Sequence, residues 1–185
     1  NALLPPDVCV LRALAVHDDF HARFSALGKR YRYRLSERRH ALHRRQVWVL
    51  PRHLDLEPMQ QAAASLIGCH AFSAFCNHHP PPDHFECTIS EATWSRVGQE
   101  WRFEIVGNRF LRHMVRILVG TMTQVGEGKR SVADFQQLLA APGERSDAGP
   151  TAPSRGLCLQ GVQYDAADGG PSGDLRSDGT AIQPN

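Results

Sequence analysis

The sequence predicts an α+β fold with a largely antiparallel sheet and helices packed on one face. Three observations carry this. Short segments such as "KRYRYRLS" (29–36) alternate side-chain character with the period of a strand. Other segments repeat apolar residues at three- and four-residue steps, the period of a helix. The two kinds follow one another without regular βαβ alternation, which argues against a parallel sheet.

Taken in order, "VCVLRALAV" (8–16), after Pro5-Pro6, alternates loosely and predicts a strand. The clearest strand is 29–36, and "QVWVL" (46–50) is its expected partner. A helix is expected from Asp55, with an acidic cap, Pro58 in the first turn and Gly68 as its stop. "CNHHPPPDHFE" (76–86) must be a loop, because three consecutive prolines forbid regular structure. Residues 87–97 and 100–107 read as a hairpin around Gly98-Gln99, with Trp94 and Trp101 as packing residues. "NRFLRHMVRILVGTMTQVG" (108–126) predicts the strongest helix, with Arg109, Arg112, His113 and Arg116 beside its apolar stripe. A shorter helix follows Ser131, an N-cap with an acid three positions on. "GPTAPSRG" (149–156) is a loop and 157–164 a last strand. The tail from Ala166 to Asn185, rich in Gly, Asp, Ser and Pro, is expected to be disordered.

The 185 residues suit one domain with a real core, and 42% hydrophobic with 22% charged residues is a globular composition. No apolar run reaches membrane-spanning length. The net charge of +2 predicts no polyanion partner, but its distribution is uneven. Lys29, Arg30, Arg32, Arg34, Arg38, Arg39, Arg44 and Arg45 crowd one region. Such a patch attracts phosphate; a charged edge strand that blocks aggregation gives the same pattern. Five cysteines without scaffold-like spacing read as reduced thiols of a cytoplasmic protein. The N-terminus has no signal-peptide pattern and reads as mid-chain sequence.

Cys69, His70, Cys76, His78, His79, His84 and Cys87 invite a zinc reading. Without a tight C-x-x-C knuckle, a His-rich solvated loop with ordinary thiols is the better one. No nucleophile elbow or phosphate-binding glycine loop is present; "GEGK" (126–129) ends a helix rather than opening one. Arg116 stands among Val115, Ile117, Leu118 and Val119, and an arginine at the margin of a buried stripe needs a carboxylate or phosphate partner. The strand 29–36 sets Tyr31 and Tyr33 on one face and Arg30, Arg32 and Arg34 on the other. Stacking on unpaired bases with phosphate contacts suits that pattern. Core tyrosines under a charged edge suit it as well.

Four stretches, "DDFHARFSALGKRYRYRL", "HAFSAFC", "NRFLRHMVRILVGTMTQVGEGK" and "GPTAPSRGLCLQGVQY", occur in an order and spacing that resembles the TruA family of tRNA pseudouridine synthases. The resemblance covers residues 1–165. It implies the pseudouridine synthase fold and isomerisation of uridines in the anticodon stem-loop of tRNA (positions 38–40), with no metal or organic cofactor. An aspartate is the nucleophile; the base detaches, turns and rejoins the ribose through carbon. By resemblance, Tyr31 packs against the uracil, Arg116 pairs with the aspartate and Leu157 lines the pocket. Phe20, His21, Arg23 and Ser25 border the cleft. Arg30, Arg32, Arg34, Arg109 and Arg112 are the expected RNA contacts. The family's G-R-T-D-A-G-x-H motif, which carries the aspartate, is not found in this sequence. The chain is therefore expected to be a C-terminal portion that is inactive alone, from a homodimeric synthase. The alternative from another class is a non-catalytic RNA-binding protein of the same fold.

Overall fold

The computed structural model describes residues 1–39, 41–77, 79, 82–141 and 143–165. At its centre is β1 (Ala26–Ser36), whose alternation sorts its side chains between two environments. Tyr33 and Leu35 are fully buried in the core, while Arg30, Arg32 and Arg34 point to the other face. On one side β1 pairs antiparallel with β5 (Glu100–Gly107), with Tyr33 opposite Phe103 and Arg34 opposite Arg102. On its other side it meets β6 (Leu157–Tyr164), antiparallel, and the two-residue β2 (Trp48–Val49), parallel. β4 (Glu86–Val97) forms a hairpin with β5 and carries β3 (Gly68–Ala71) at the far edge. The result is a six-stranded mixed sheet, mostly antiparallel, among the described residues.

Three helices cover one face. In α1 (Leu56–Ala64), the Asp55 carboxylate accepts from the Glu57 amide, and Met59, Ala62 and Ala63 are buried. α3 (Val132–Ala140) opens with a complete capping box between Ser131 and Asp134 and buries Phe135. Between them lies α2 (Met114–Gly126), buried around nearly its whole circumference. The Trp94 indole N–H points at the Met122 sulfur, 3.3 Å away, and the Trp94 ring packs on Phe103 at 5.1 Å. No helix among the described residues is long and apolar enough to cross a membrane.

Several expectations are corrected. Residues 8–16 are not a strand: they run outside the sheet, and Val10 and Leu11 are exposed, so their loose alternation has no apolar face to meet. The helix expected from 108 starts at Met114, because His113 adopts a left-handed backbone (φ 63°) that cannot continue a helix backwards. Arg109 and Arg112 therefore sit on the approach to α2, not on its face. α1 ends at Ala64, and Gly68 opens β3, which periodicity did not reveal. The tail 166–185 lies outside the described residues.

α2 is locked by the loop that precedes β6. At Gly120 an added Cβ would fall 1.8 Å from the Pro150 carbonyl oxygen, so helix and loop meet backbone to backbone. The Thr121 hydroxyl accepts from the Gly149 amide at 2.9 Å. Gly120→Ala is expected to lower unfolding stability by about 1–3 kcal/mol, as overpacking does. Urea denaturation measures this; a midpoint equal to wild type would show that the seam is not close-packed.

Candidate functional site

Tyr31 differs from its neighbour Tyr33 by one pleat of β1, and that decides its availability. Tyr33 is fully buried, donates its hydroxyl to the Pro153 carbonyl at 2.7 Å and is held neutral well above the usual phenol range by burial. Tyr31 is half-buried, and partial burial alone raises its pKa. Its ring meets Phe110 edge-on, with centroids 5.1 Å apart and planes at 85°. Directly opposite Tyr31 stand Ile105 on β5 and Leu159 on β6, and Leu159 is 49% exposed. Leu157 is opposite Tyr33 and shares its face. The structure thus sets Tyr31, Leu157, Leu159 and Phe110 on the helix-bearing side of the sheet, as a partly open apolar wall. Phe110, expected as helix core, is instead part of that wall.

Arg116 reaches the same side from the first turn of α2. Its Nε donates to the Ala152 carbonyl at 2.6 Å, and its own carbonyl accepts from the Ala152 amide at 3.1 Å. Its charge is felt by Tyr33, whose hydroxyl is bonded to the next residue of the loop. Among the described residues no carboxylate forms an ion pair with Arg116. A guanidinium held this way has its direction set by the loop, with its remaining donors uncommitted.

The strand arginines are placed differently. Arg30, 6% exposed, bonds Glu91 at 2.7 Å and lies 3.8 Å from Glu104. Arg32 pairs with Glu104 at 2.5 Å, and Arg34 makes a two-pronged contact with Glu100 at 2.7 and 3.0 Å. They are neither free nor merely solvated, because glutamates of β4 and β5 face them across the ladder. Strand alternation in one segment cannot show this; Glu91, Glu100 and Glu104 in the hairpin "SEATWSRVGQEWRFEI" were the available signal. Arg109 touches the His84 ring, and Arg112 donates to the His79 carbonyl, so both arginines are engaged by these two residues rather than left free.

The 20–25 segment lies just before β1, its last residue six positions from Tyr31, or roughly 20 Å along a strand. His21 closes a turn through its backbone bonds with Ser25, and its Nδ1 accepts from the Arg23 and Phe24 amides. Arg23 lies over the Phe24 ring, and Phe20 packs on Tyr164 at 5.0 Å. Phe20, His21, Arg23 and Ser25 thus form one local unit that the structure does not bring into contact with Tyr31. In the His/Cys region, Cys76 and Cys87 are buried, and burial pushes the Cys87 thiol up to about 11. Among the described residues no three His, Cys, Asp or Glu side chains converge as a metal site; His78 lies outside them.

Comparison with known proteins bears on this arrangement. A family model described as tRNA pseudouridine synthase matches residues 62–165. A tRNA pseudouridine synthase A of Moorella thermoacetica is 43% identical over 166 residues, covering 89% of this chain and 67% of that protein. Those of Myxococcus xanthus and Halalkalibacterium halodurans are 45% identical, covering 93% and 85% of this chain and 65% and 60% of theirs. The chain spans about two thirds or less of the length of these curated relatives. At this identity and coverage, the chain belongs to the tRNA pseudouridine synthase family.

Proposed function

We propose that this chain supplies one side of the uridine pocket of a tRNA pseudouridine synthase and acts on the anticodon stem-loop, at positions 38–40. The observation that carries this is the half-open wall of Tyr31 and Phe110 on the same side of the sheet as Arg116, which has no carboxylate partner among the described residues. A base flipped out of its stack needs an apolar surface to lie on, and the Tyr31 ring offers one. Arg116, aimed by Ala152, is ready to receive a carboxylate as a two-pronged partner. That carboxylate is the nucleophilic aspartate, contributed by a segment of the synthase outside these 185 residues. Its oxygen bonds the nucleotide as the C–N glycosidic bond breaks; the freed uracil turns and forms the C–C bond while the carboxylate–nucleotide bond breaks and returns its electron pair to the aspartate, and one proton leaves carbon while the ring nitrogen regains one. Atoms balance without oxidant, metal or cofactor.

In the same reading two copies of the synthase share the tRNA, in the cytoplasm, where its substrate is made and where free cysteines such as Cys9, Cys69 and Cys158 stay reduced. Leu157 lines the pocket from β6. Phe20, His21, Arg23 and Ser25 belong to the rim rather than to the chemistry, since their contacts are with one another, Phe24 and Tyr164. Arg30, Arg32 and Arg34 hold the strand ladder rather than RNA, while Arg109 and Arg112 engage His84 and His79.

The reading is tested by pseudouridine formation on unmodified tRNA. The longer synthase is expected to isomerise uridine, and the 185-residue chain alone to form none. Tyr31→Ala in the longer protein should reduce turnover at least 1,000-fold, that is by about 4 kcal/mol or more, with tRNA affinity changed less than threefold. Pseudouridine formed by the chain alone, or full turnover by the Tyr31 variant, would contradict it. A longer protein that binds tRNA but makes no pseudouridine would favour the non-catalytic binder instead.

Positive charge at the start of α2 has its own signature. His113 is held below the usual imidazole pKa by partial desolvation and by the charges of Arg116, Arg112 and Arg145. A histidine depressed in the folded state favours folding above its unfolded pKa, about 6.5, and loses that contribution as pH falls through the folded value. NMR titration should therefore find His113 charging below the ordinary range, and Arg116→Gln should move it upward. An unmoved midpoint would mean that Arg116 does not set the potential there.

A further inference from the structure

The face of the sheet opposite Tyr31 carries a cavity of about 620 Å³ with an unusual lining. Volumes of ~300–1,000 Å³ are typical of small-ligand sites. Five arginines line it, Arg32, Arg34, Arg45, Arg102 and Arg155, and among the described residues no aspartate or glutamate does. The register explains the convergence. Arg34 stands directly across from Arg102, Arg32 across from Cys158 on the other neighbouring strand, and Arg155 comes from the turn just before β6.

Counting charge around this cavity leaves a surplus. Glu104 answers Arg32, and Glu100 answers Arg34 while lying 3.9 Å from Arg102. The side chains of Arg45 and Arg155, both exposed, have no ion-pair or hydrogen-bond partner among the described residues. Arg102 is also underused: its Nε is buried without an acceptor. Like charges set directly opposite on neighbouring strands are unfavourable, and a buried donor without an acceptor costs free energy. An anion in the cavity would relieve the first. Exposed edge-strand cations kept for solubility would not place a buried, unsatisfied donor beside a hollow.

We propose that this cavity is a phosphate site, held by Arg45, Arg102 and Arg155, that binds the RNA backbone on the face of the sheet opposite the uridine pocket. The proposal rests on the RNA-modifying reading for its occupant. The paired arginines Arg32 and Arg34 form its wall and the surplus arginines its grip. Planar guanidiniums suit phosphate oxygens better than ammonium groups do.

The test is binding of the 185-residue chain to an unmodified anticodon stem-loop RNA, by fluorescence anisotropy across a salt series. Each phosphate contact contributes roughly 0.7–0.9 to the slope of log affinity against log salt. The double variant Arg45→Gln/Arg155→Gln should lose about 1.5 of that slope and at least tenfold in affinity at low salt. Arg45→Lys/Arg155→Lys, which keeps the charge, should keep the slope and lose part of the affinity. Both side chains are exposed, and an unchanged circular-dichroism melt checks that the variants fold. Wild-type affinity and slope in the Gln variant would overturn the proposal. So would loss of tripolyphosphate binding with RNA binding intact, which would make this a site for free phosphate compounds.

The Tyr31→Ala experiment separates the two claims. If Tyr31 is needed for turnover but the Gln variant binds RNA normally, this inference falls and the proposed activity stands. If RNA binding depends on the arginines yet no pseudouridine forms in the longer protein, the activity falls and the phosphate site stands.

Discussion

The seam between α2 and the loop 149–156 is the contact on which the rest of the structure depends. Gly120 removes the side chain that would hold the Pro150 carbonyl away, and Arg116 and Ala152 exchange two hydrogen bonds one turn earlier. From there the loop delivers the Pro153 carbonyl to the Tyr33 hydroxyl and brings Gly156 against the Tyr33 ring, where a Cβ would meet it at 2.6 Å. One eight-residue loop therefore fixes three things together: the depth of α2, the direction of Arg116 and the entry of β6 beside β1. At Gly120 helix and loop meet backbone to backbone and at Gly156 backbone meets ring, so at these two points no flexible side chain can absorb an error.

The ladder on the other face of β1 sets register rather than adding much stability. Partly exposed ion pairs contribute little net free energy, because desolvation and side-chain ordering offset the attraction. Slipping β1 by one residue would be very different. Arg30, Arg32 and Arg34 would enter the core, and Tyr33 and Leu35 would leave it. The glutamates at positions 91, 100 and 104 reinforce the pairing that the core already prefers. This is why so basic a segment lies in the middle of a sheet and not at a solvated edge.

Much of this was legible in the sequence. The alternation of 29–36, the hairpin at Gly98, the capping box at Ser131 and the apolar stripe of 114–125 all carry local physics that survives in the fold. What could not be read depends on pairing across long separations. Nothing local shows that Arg30 meets Glu91, or that Pro150 sits on Gly120. The length of α2 was overestimated because Phe110 and Leu111 keep a helical spacing, yet they serve a left-handed turn at His113. Residues 8–16 misled in the opposite way: apolar residues at alternating positions were present, but their exposure shows that alternation without a core face to meet is composition, not structure.

In the proposed reading, the two faces of β1 divide recognition in a way that follows from the chemistry of each. A ring such as Tyr31 gains little from a base that stays stacked in its helix, because stacking there is already satisfied; it selects for a base that has left the stack. Guanidiniums read phosphate, which is present whether or not a base is flipped, so they hold the strand without favouring the reacting state. Binding that is equal in ground and transition states lowers the substrate concentration needed but not the barrier. Arg116 is on the ring's side of the sheet, and its one side-chain bond among the described residues, to Ala152, costs it no charge. An arginine neutralised by a glutamate, as Arg32 and Arg34 are, would have little left to orient a nucleophilic carboxylate. The absence of an acidic partner beside Arg116 among the described residues is therefore what suits it to the proposed task.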